Sequence, residues 1–126
     1  MSIVKTITFW SSAARTASTV SSTVYSGEVN RSYTGSTGYA SKAQFSLDVT
    51  TSSGTAPTMQ LEIQKQVGSG SWMTIPELVF LGVTTSAAGP QIINYNQALP
   101  ANLRAVATMT GTTPSFTFAL ECELVG

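Results

Sequence analysis

The side chains able to do chemistry are few. The chain holds one cysteine, no histidine and six carboxylates among 126 residues. Without histidine, the commonest general base at neutral pH is missing, as is the commonest metal ligand. No Ser-His-Asp or Cys-His arrangement can form. One cysteine without histidine also excludes the ordinary zinc sites. The acids are Glu28, Asp48, Glu62, Glu77, Glu121 and Glu123. None has the Asp/Asn and Gly spacing of a calcium loop. Glu121 and Glu123 fall on one face of a strand, where Glu62 or Asp48 could meet them across a sheet. A carboxylate pair is what a glycosidase uses, but a solvated strand face explains these residues more simply. The glycines form neither G-x-G-x-x-G nor a phosphate loop. The expectation is a protein that is not an enzyme, with no metal and no cofactor.

Cys122 lies on the apolar side of an alternating strand. It is expected to be a buried small hydrophobe, and a single cysteine permits no internal disulfide. The aromatics Trp10, Trp72, Tyr25, Tyr33, Tyr39 and Tyr95 are the remaining groups that could bind something, by stacking on sugar rings or anchoring a protein interface. Trp72 follows a Gly-Ser turn at the start of a strand and is expected to plug the end of the core. Tyr33 and Tyr39 sit among glycines and are expected to touch a partner.

The elements that must carry these residues are strands. Ala43, Phe45, Leu47 and Val49 alternate with Gln44, Ser46, Asp48 and Thr50. Met59, Leu61 and Ile63 alternate with Gln60, Glu62 and Gln64. Leu103 to Thr110 and Ser115 to Val125 repeat the pattern, and this period of two sends one set inward. Shorter strands are expected over Trp72 to Ile75, Glu77 to Val83 and Gln91 to Tyr95, with another over Ile3 to Trp10. Pro76, Pro90 and Pro100 punctuate them, since proline cannot donate to a ladder. Many short strands with turn signals predict an all-β chain, an antiparallel β-sandwich of jelly-roll type. A faint echo links Gly54-Thr55-Ala56-Pro57 to Gly111-Thr112-Thr113-Pro114. Each reads as the tip of a long hairpin, the first needing one more residue to keep its faces in phase. Pairing Met109 with Phe116 in the second hairpin would set Arg104 opposite Glu121.

One domain is expected over residues 1–126, its strand-rich core over 39–125. The stretch 11–38 is rich in Ser, Thr, Ala and Gly, with little alternation. It reads as an extended arm or long loop that orders on a partner. Hydrophobic residues make up 42% and charged residues only 10%, with formal net charge zero and pI near 6.1. Serine and threonine supply roughly a quarter to a third of the chain, where charge usually stands. Such a surface repels neighbours weakly and suits packing against another protein. The charge balance argues against nucleic acid and against anionic membrane surfaces. The longest apolar run, Leu78 to Leu81, is far too short to span a bilayer. Met1 to Trp10 lacks a basic segment followed by an apolar one, so folding in a cytoplasm is expected.

Several stretches together carry a resemblance: Ser11-Ser12-Ala13-Ala14-Arg15-Thr16-Ala17, Phe45-Ser46-Leu47-Asp48-Val49-Thr50, Pro57-Thr58-Met59-Gln60-Leu61-Glu62-Ile63-Gln64, Gly70-Ser71-Trp72-Met73-Thr74-Ile75, Leu99-Pro100-Ala101-Asn102-Leu103-Arg104-Ala105-Val106 and Gly111-Thr112-Thr113-Pro114-Ser115-Phe116-Thr117-Phe118. In style and order they resemble the small β-sandwich structural proteins of tailed bacteriophages, most closely capsid decoration (cement) proteins. The resemblance covers most of the chain. It departs where chains of this style often carry Asp-Gly before the tryptophan; here Gly70-Ser71 stands. It implies a virion protein made in the host cytoplasm and bound to the outside of the head. Its partners would be the major capsid protein and further copies of itself, as a homo-oligomer, commonly a trimer. Contacts to that partner would come from the arm: Arg15, Tyr25, Arg31, Tyr33 and Tyr39. The alternatives are a neck or tail component, or a carbohydrate-binding adhesion module stacking sugars on Trp10, Trp72 or Tyr95.

Overall fold

Two long strands dominate the computed structural model, which describes residues 3–21, 24, 25, 42–68, 70–83, 91–95 and 102–125. β4 (Lys42–Val67) and β7 (Asn102–Val125) run antiparallel along nearly their whole length, from Lys42 opposite Val125 to Lys65 opposite Leu103. The other strands flank this ribbon. β1 (Ile3–Arg15) lies beside the C-terminal part of β7, and β6 (Gln91–Tyr95) beside the N-terminal part of β4. β5 (Ser71–Val83) lies beside the C-terminal part of β4. Two short strands, β2 (Thr19–Val20) and β3 (Val24–Tyr25), pair with the N-terminal part of β7. Each half of the ribbon is therefore the centre of an antiparallel sheet. The first half runs β1, β7, β4, β6. The second runs β5, β4, β7, then β2 and β3. The all-β antiparallel architecture expected from period-two alternation is the one present.

The halves meet where both long strands leave the β region. Gly54, Ala56, Gly111 and Thr113 have φ of 112°, 48°, 113° and 46°. The two G-T-x-P stretches cross here and read each other. A Cβ on Gly54 would lie 2.7 Å from the Thr113 carbonyl oxygen, and one on Gly111 would lie 2.7 Å from that of Ala56. Only glycine allows so close a backbone approach at that φ. The reciprocity is that of an approximate two-fold axis exchanging β4 with β7.

This corrects the hairpin reading. Neither G-T-x-P stretch is a hairpin tip; both are bends within one ribbon. Arg104 therefore lies opposite Gln64, and Glu121 opposite Ser46 and Thr8. Local turn chemistry looks the same in a tip and a bend, so only long-range pairing separates them. The extra residue expected in the first tip lies instead in the strand before the bend: the register shifts by one between Val49 and Thr51, leaving Thr50 as a β-bulge. Pro76 likewise does not end a strand. It lies inside β5, where the register against β4 breaks between Glu62 and Gln64. A bulge leaves no ladder bond for the missing N–H to make.

The inner faces of both halves bury into one core. Phe45, Leu47, Phe116, Phe118 and Leu120 from the first half are fully covered, as are Leu61, Ile63, Leu103 and Ala105 from the second. A sheet face loses all solvent only when another layer covers it, so the halves form a β-sandwich. A bulge at Phe9 lets two successive residues of β1, Phe9 and Trp10, both turn inward. Phe9 stacks with Phe45 at 6.2 Å. Trp10 meets Phe118 edge-on at 5.3 Å, a geometry that the ring quadrupoles favour.

Of the stretch 11–38, the described residues are 11–21, 24 and 25, and they belong to the sheets. Residues 11–15 continue β1, and β2 and β3 dock on β7. Two serines explain why alternation missed this. The Ser18 and Ser21 hydroxyls accept hydrogen bonds from the backbone N–H of Met109 (3.0 Å) and Ala105 (2.8 Å). The Ser21 N–H donates to the Ala105 carbonyl at 2.9 Å. Side chains that bond the neighbouring backbone dock an irregular segment without any apolar period.

Candidate functional site

No two carboxylates face each other across a rung among the described residues. Glu121 lies opposite Ser46 and Thr8, Glu123 opposite Gln44 and Thr6, and Glu62 opposite Val79 and Val106. No group of three or more His, Cys, Asp or Glu among these residues could hold a metal ion. No helix among them is long and apolar enough to cross a membrane. Cys122 is fully buried, as expected, and burial pushes its thiol up to about 12, with Glu123 adding to the shift.

The surface groups instead form two regions. The first is a belt around the crossing. Residues 11–14, 16–18, 50, 51, 53–56, 58, 108 and 110–113 are exposed, and not one is charged. They are Ser, Thr, Ala and Gly, from β1, β4, β7 and the segment leading to β2. Thr58 and Thr110 join their hydroxyls across the ribbon. Beside them a shallow hollow of about 240 Å³ is lined by Thr58, Met59, Gln60, Thr108 and Thr110. The exposed charges Asp48, Lys65, Glu77 and Glu121 stand outside the belt.

Arg15 sits at the edge of this belt and is held by the fold. Its Nη1 donates to the carbonyls of Ala13 and Phe118, each at 3.0 Å, and its Nη2 to that of Ser11 at 3.0 Å. The guanidinium lies 4.7 Å from the Phe118 ring centroid and 5.8 Å from that of Trp10. It takes up carbonyls that the bulged end of β1 leaves over. Desolvation lowers its pKa from the ordinary arginine value. Tyr25 pairs through its backbone with Asn102. Arg31, Tyr33 and Tyr39 lie outside the described residues. The structure thus places Arg15 and the Tyr25 backbone on opposite halves of β7.

The second region is the outward face of the second half. Here the structure departs from expectation at Trp72, which is half-buried on the outer face and does not plug the core. It pairs with outward Gln66 rather than with an inner residue. The Arg104 guanidinium lies 4.5 Å from its ring centroid, and attraction of a cation to the ring offsets the loss of core burial. Sequence could have shown this, since Trp72 stands an odd number of residues from buried Ile75. Trp10 and Tyr95 are 7% and 8% exposed, which removes them as sugar-stacking platforms. Burial, followed by the nearby Glu77, raises the Tyr95 pKa.

Neither a protein-family model nor a curated protein matches this sequence.

Proposed function

We propose that this chain is a non-enzymatic structural protein of a virus particle, a capsid decoration protein that binds the outside of a phage head and bridges its capsid subunits. The observation that carries the reading is the uncharged belt. Cores of protein interfaces are depleted of charge, because burying an unpaired charge is costly. A ring of Ser, Thr, Ala and Gly around a rigid β body can be covered with no charge to desolvate. Its exposed hydroxyls supply donors and acceptors to a partner. The resemblance to phage decoration proteins supplies the identity of that partner, the major capsid protein. Attachment would be multivalent, with a homo-oligomer, a trimer in the first instance, placing several weak contacts at high effective concentration. Arg15 then acts by holding the rim of the belt. Tyr25 of β3, with Arg31, Tyr33 and Tyr39 from the chain that follows it, extends the contact.

The test is co-sedimentation with empty phage heads, alongside native mass over a range of concentration. The wild type should co-sediment and associate into a defined oligomer. Ser12→Glu and Thr112→Glu should fold normally yet lose attachment. Binding that survives both changes would remove the belt from the interface. Attachment to isolated necks or tails, with none to heads, would move the protein to that part of the particle.

A further inference from the structure

Three strands of the second half present an ordered polar face around Trp72. On one rung Trp72 lies opposite Gln66, whose Oε1 accepts from Asn102 Nδ2 at 2.9 Å. On the next, Arg104 Nε donates to Gln64 Oε1 at 2.8 Å, and Gln64 Nε2 donates to Glu62 Oε1 at 3.1 Å. These side chains are half-buried, so each is held by its neighbours rather than free in water. The bonds run in one direction from Arg104 to Glu62, which fixes the Gln64 amide. They leave the Gln66 Nε2 donor, the Asn102 Oδ1 acceptor and the Arg104 Nη donors without a protein partner among the described residues.

This set selects a ligand class. Arg104 and Glu62 are linked through Gln64, so the face carries a cation and an anion and no net charge, unlike the basic patch that a polyanion requires. Beside the indole lie amides rather than an aliphatic ring, unlike the apolar surround of a protein hot spot. Fixed donors and acceptors beside an aromatic side chain match a molecule with hydroxyls on its rim and C–H groups on its flat face. Three strands at about 4.8 Å spacing span about 10 Å, room for a short oligosaccharide.

We propose that the outward face of β5, β4 and β7, built from Trp72, Arg104, Gln66 and Asn102, binds an uncharged oligosaccharide. A pyranose ring packs on the exposed part of the Trp72 indole. Its hydroxyls bond to Gln66 Nε2, Asn102 Oδ1 and the Arg104 Nη groups. This site lies apart from the belt and does not depend on attachment to a capsid, so the two readings succeed or fail separately.

The test uses the full chain on an array of neutral hexose and N-acetylhexosamine oligosaccharides, with uronic-acid oligosaccharides on the same array. Calorimetry and tryptophan fluorescence follow on the strongest ligand. At least one neutral oligosaccharide should bind, and Trp72→Ala should weaken it about tenfold or more, with Asn102→Ala weakening it several-fold. Trp72→Phe should keep most of the affinity. Circular dichroism shows which variants are folded, and Asn102→Ala decides the matter if Trp72→Ala is not. An array with no ligand above background overturns the proposal. So does binding that ignores both alanine variants. Binding confined to the uronic-acid members, and lost in Arg104→Gln, overturns the uncharged class in favour of an acidic one.

Discussion

Counted from the two prolines, Leu120 in the first half stands where Ile63 stands in the second, and Cys122 and Leu124 stand where Lys65 and Val67 do. Cys122 and Leu124 are 0% and 1% exposed, whereas Lys65 is exposed and Val67 is 40% exposed. The same inward direction is covered in one half and open in the other. The difference lies in what flanks the ribbon. The first half has Phe9, Trp10, Phe45 and Tyr95 around it, and the second has Ala105 and Ala107 in the positions of Leu47 and Val49. Large side chains carry the core further along the strands; small ones let the sheets close sooner and leave the β4–β5 end projecting. Met73, opposite Lys65, is 54% exposed as a result. On the outer face of that end, Trp72 and Arg104 supply the order that the core does not. A two-fold plan thus fixes where strands run, while residue volume decides how far the core reaches.

The sharpest break of the equivalence is at matched core positions. Phe118→Ala should cost about 4 kcal/mol and its counterpart Leu61→Ala about 3 kcal/mol. Phe118 loses more because the Trp10 edge contact and the perch of Arg15 go with it. Urea denaturation of the two variants measures the gap. Equal losses would mean that the Arg15 and Trp10 contacts add nothing to the first half.

The crossing itself should behave symmetrically. Gly54→Ala and Gly111→Ala each force a Cβ against a backbone carbonyl at positive φ, at a cost of about 3 kcal/mol apiece. Matching denaturation midpoints sharpen the two-fold relation. One tolerated substitution beside one unfolded protein would confine the close approach to a single strand.

Burial in the first half also has a pH signature. The Cys122 thiol stays neutral in the fold up to about 12, while an unfolded thiol ionises near 9.0. Between those values the unfolded chain gives up a proton that the folded one keeps. The stabilisation is therefore complete below pH 9 and falls away as pH rises toward 12, by about 1.4 kcal/mol per unit. Cys122→Ala should flatten that part of the stability curve relative to wild type, read by denaturation at pH 8 and pH 11. The same thiol should resist disulfide reagents at neutral pH until the protein is unfolded. An equal alkaline slope in both proteins would assign it to the tyrosines instead.

Much of this arrangement is legible in the residues. The alternation of Ala43 to Val49, Met59 to Ile63 and Phe116 to Leu124 names the inner faces, and the phase mismatch around Gly54 shows that one residue is extra without placing it at Thr50. What alternation could not carry is pairing at a distance. A G-T-x-P stretch bends a chain locally, and nothing within it says whether the next strand folds back or runs on. The segment around β2 is hidden for a different reason, because Ser18 and Ser21 dock through hydroxyls and leave no hydrophobic period. The face around Trp72 is half legible: the tryptophan stands out in the sequence, but its neighbours Gln64, Gln66, Asn102 and Arg104 gather only once β4 pairs with β5 and β7. The belt was foreshadowed by composition alone, as a shortage of charge with no address.

The two-fold plan also makes a prediction about connectivity. β5 follows β4 through the turn at Gly68–Gly70, and it occupies in the second half the place that β1 occupies in the first. β1 and β7 are not consecutive in the element order, although Ile3 pairs with Val125. Joining residue 125 to residue 3 through a short linker, and opening the chain at residue 69, exchanges one connection for its counterpart. Every β pair survives the exchange, so the permuted chain should fold with a stability within about 2 kcal/mol of the parent. Circular dichroism and urea denaturation of the permuted protein check this. Should it fail to fold, the β4–β5 turn is needed to start pairing in the half with the shallower core. That would make the halves unequal in how they form as well as in how they pack.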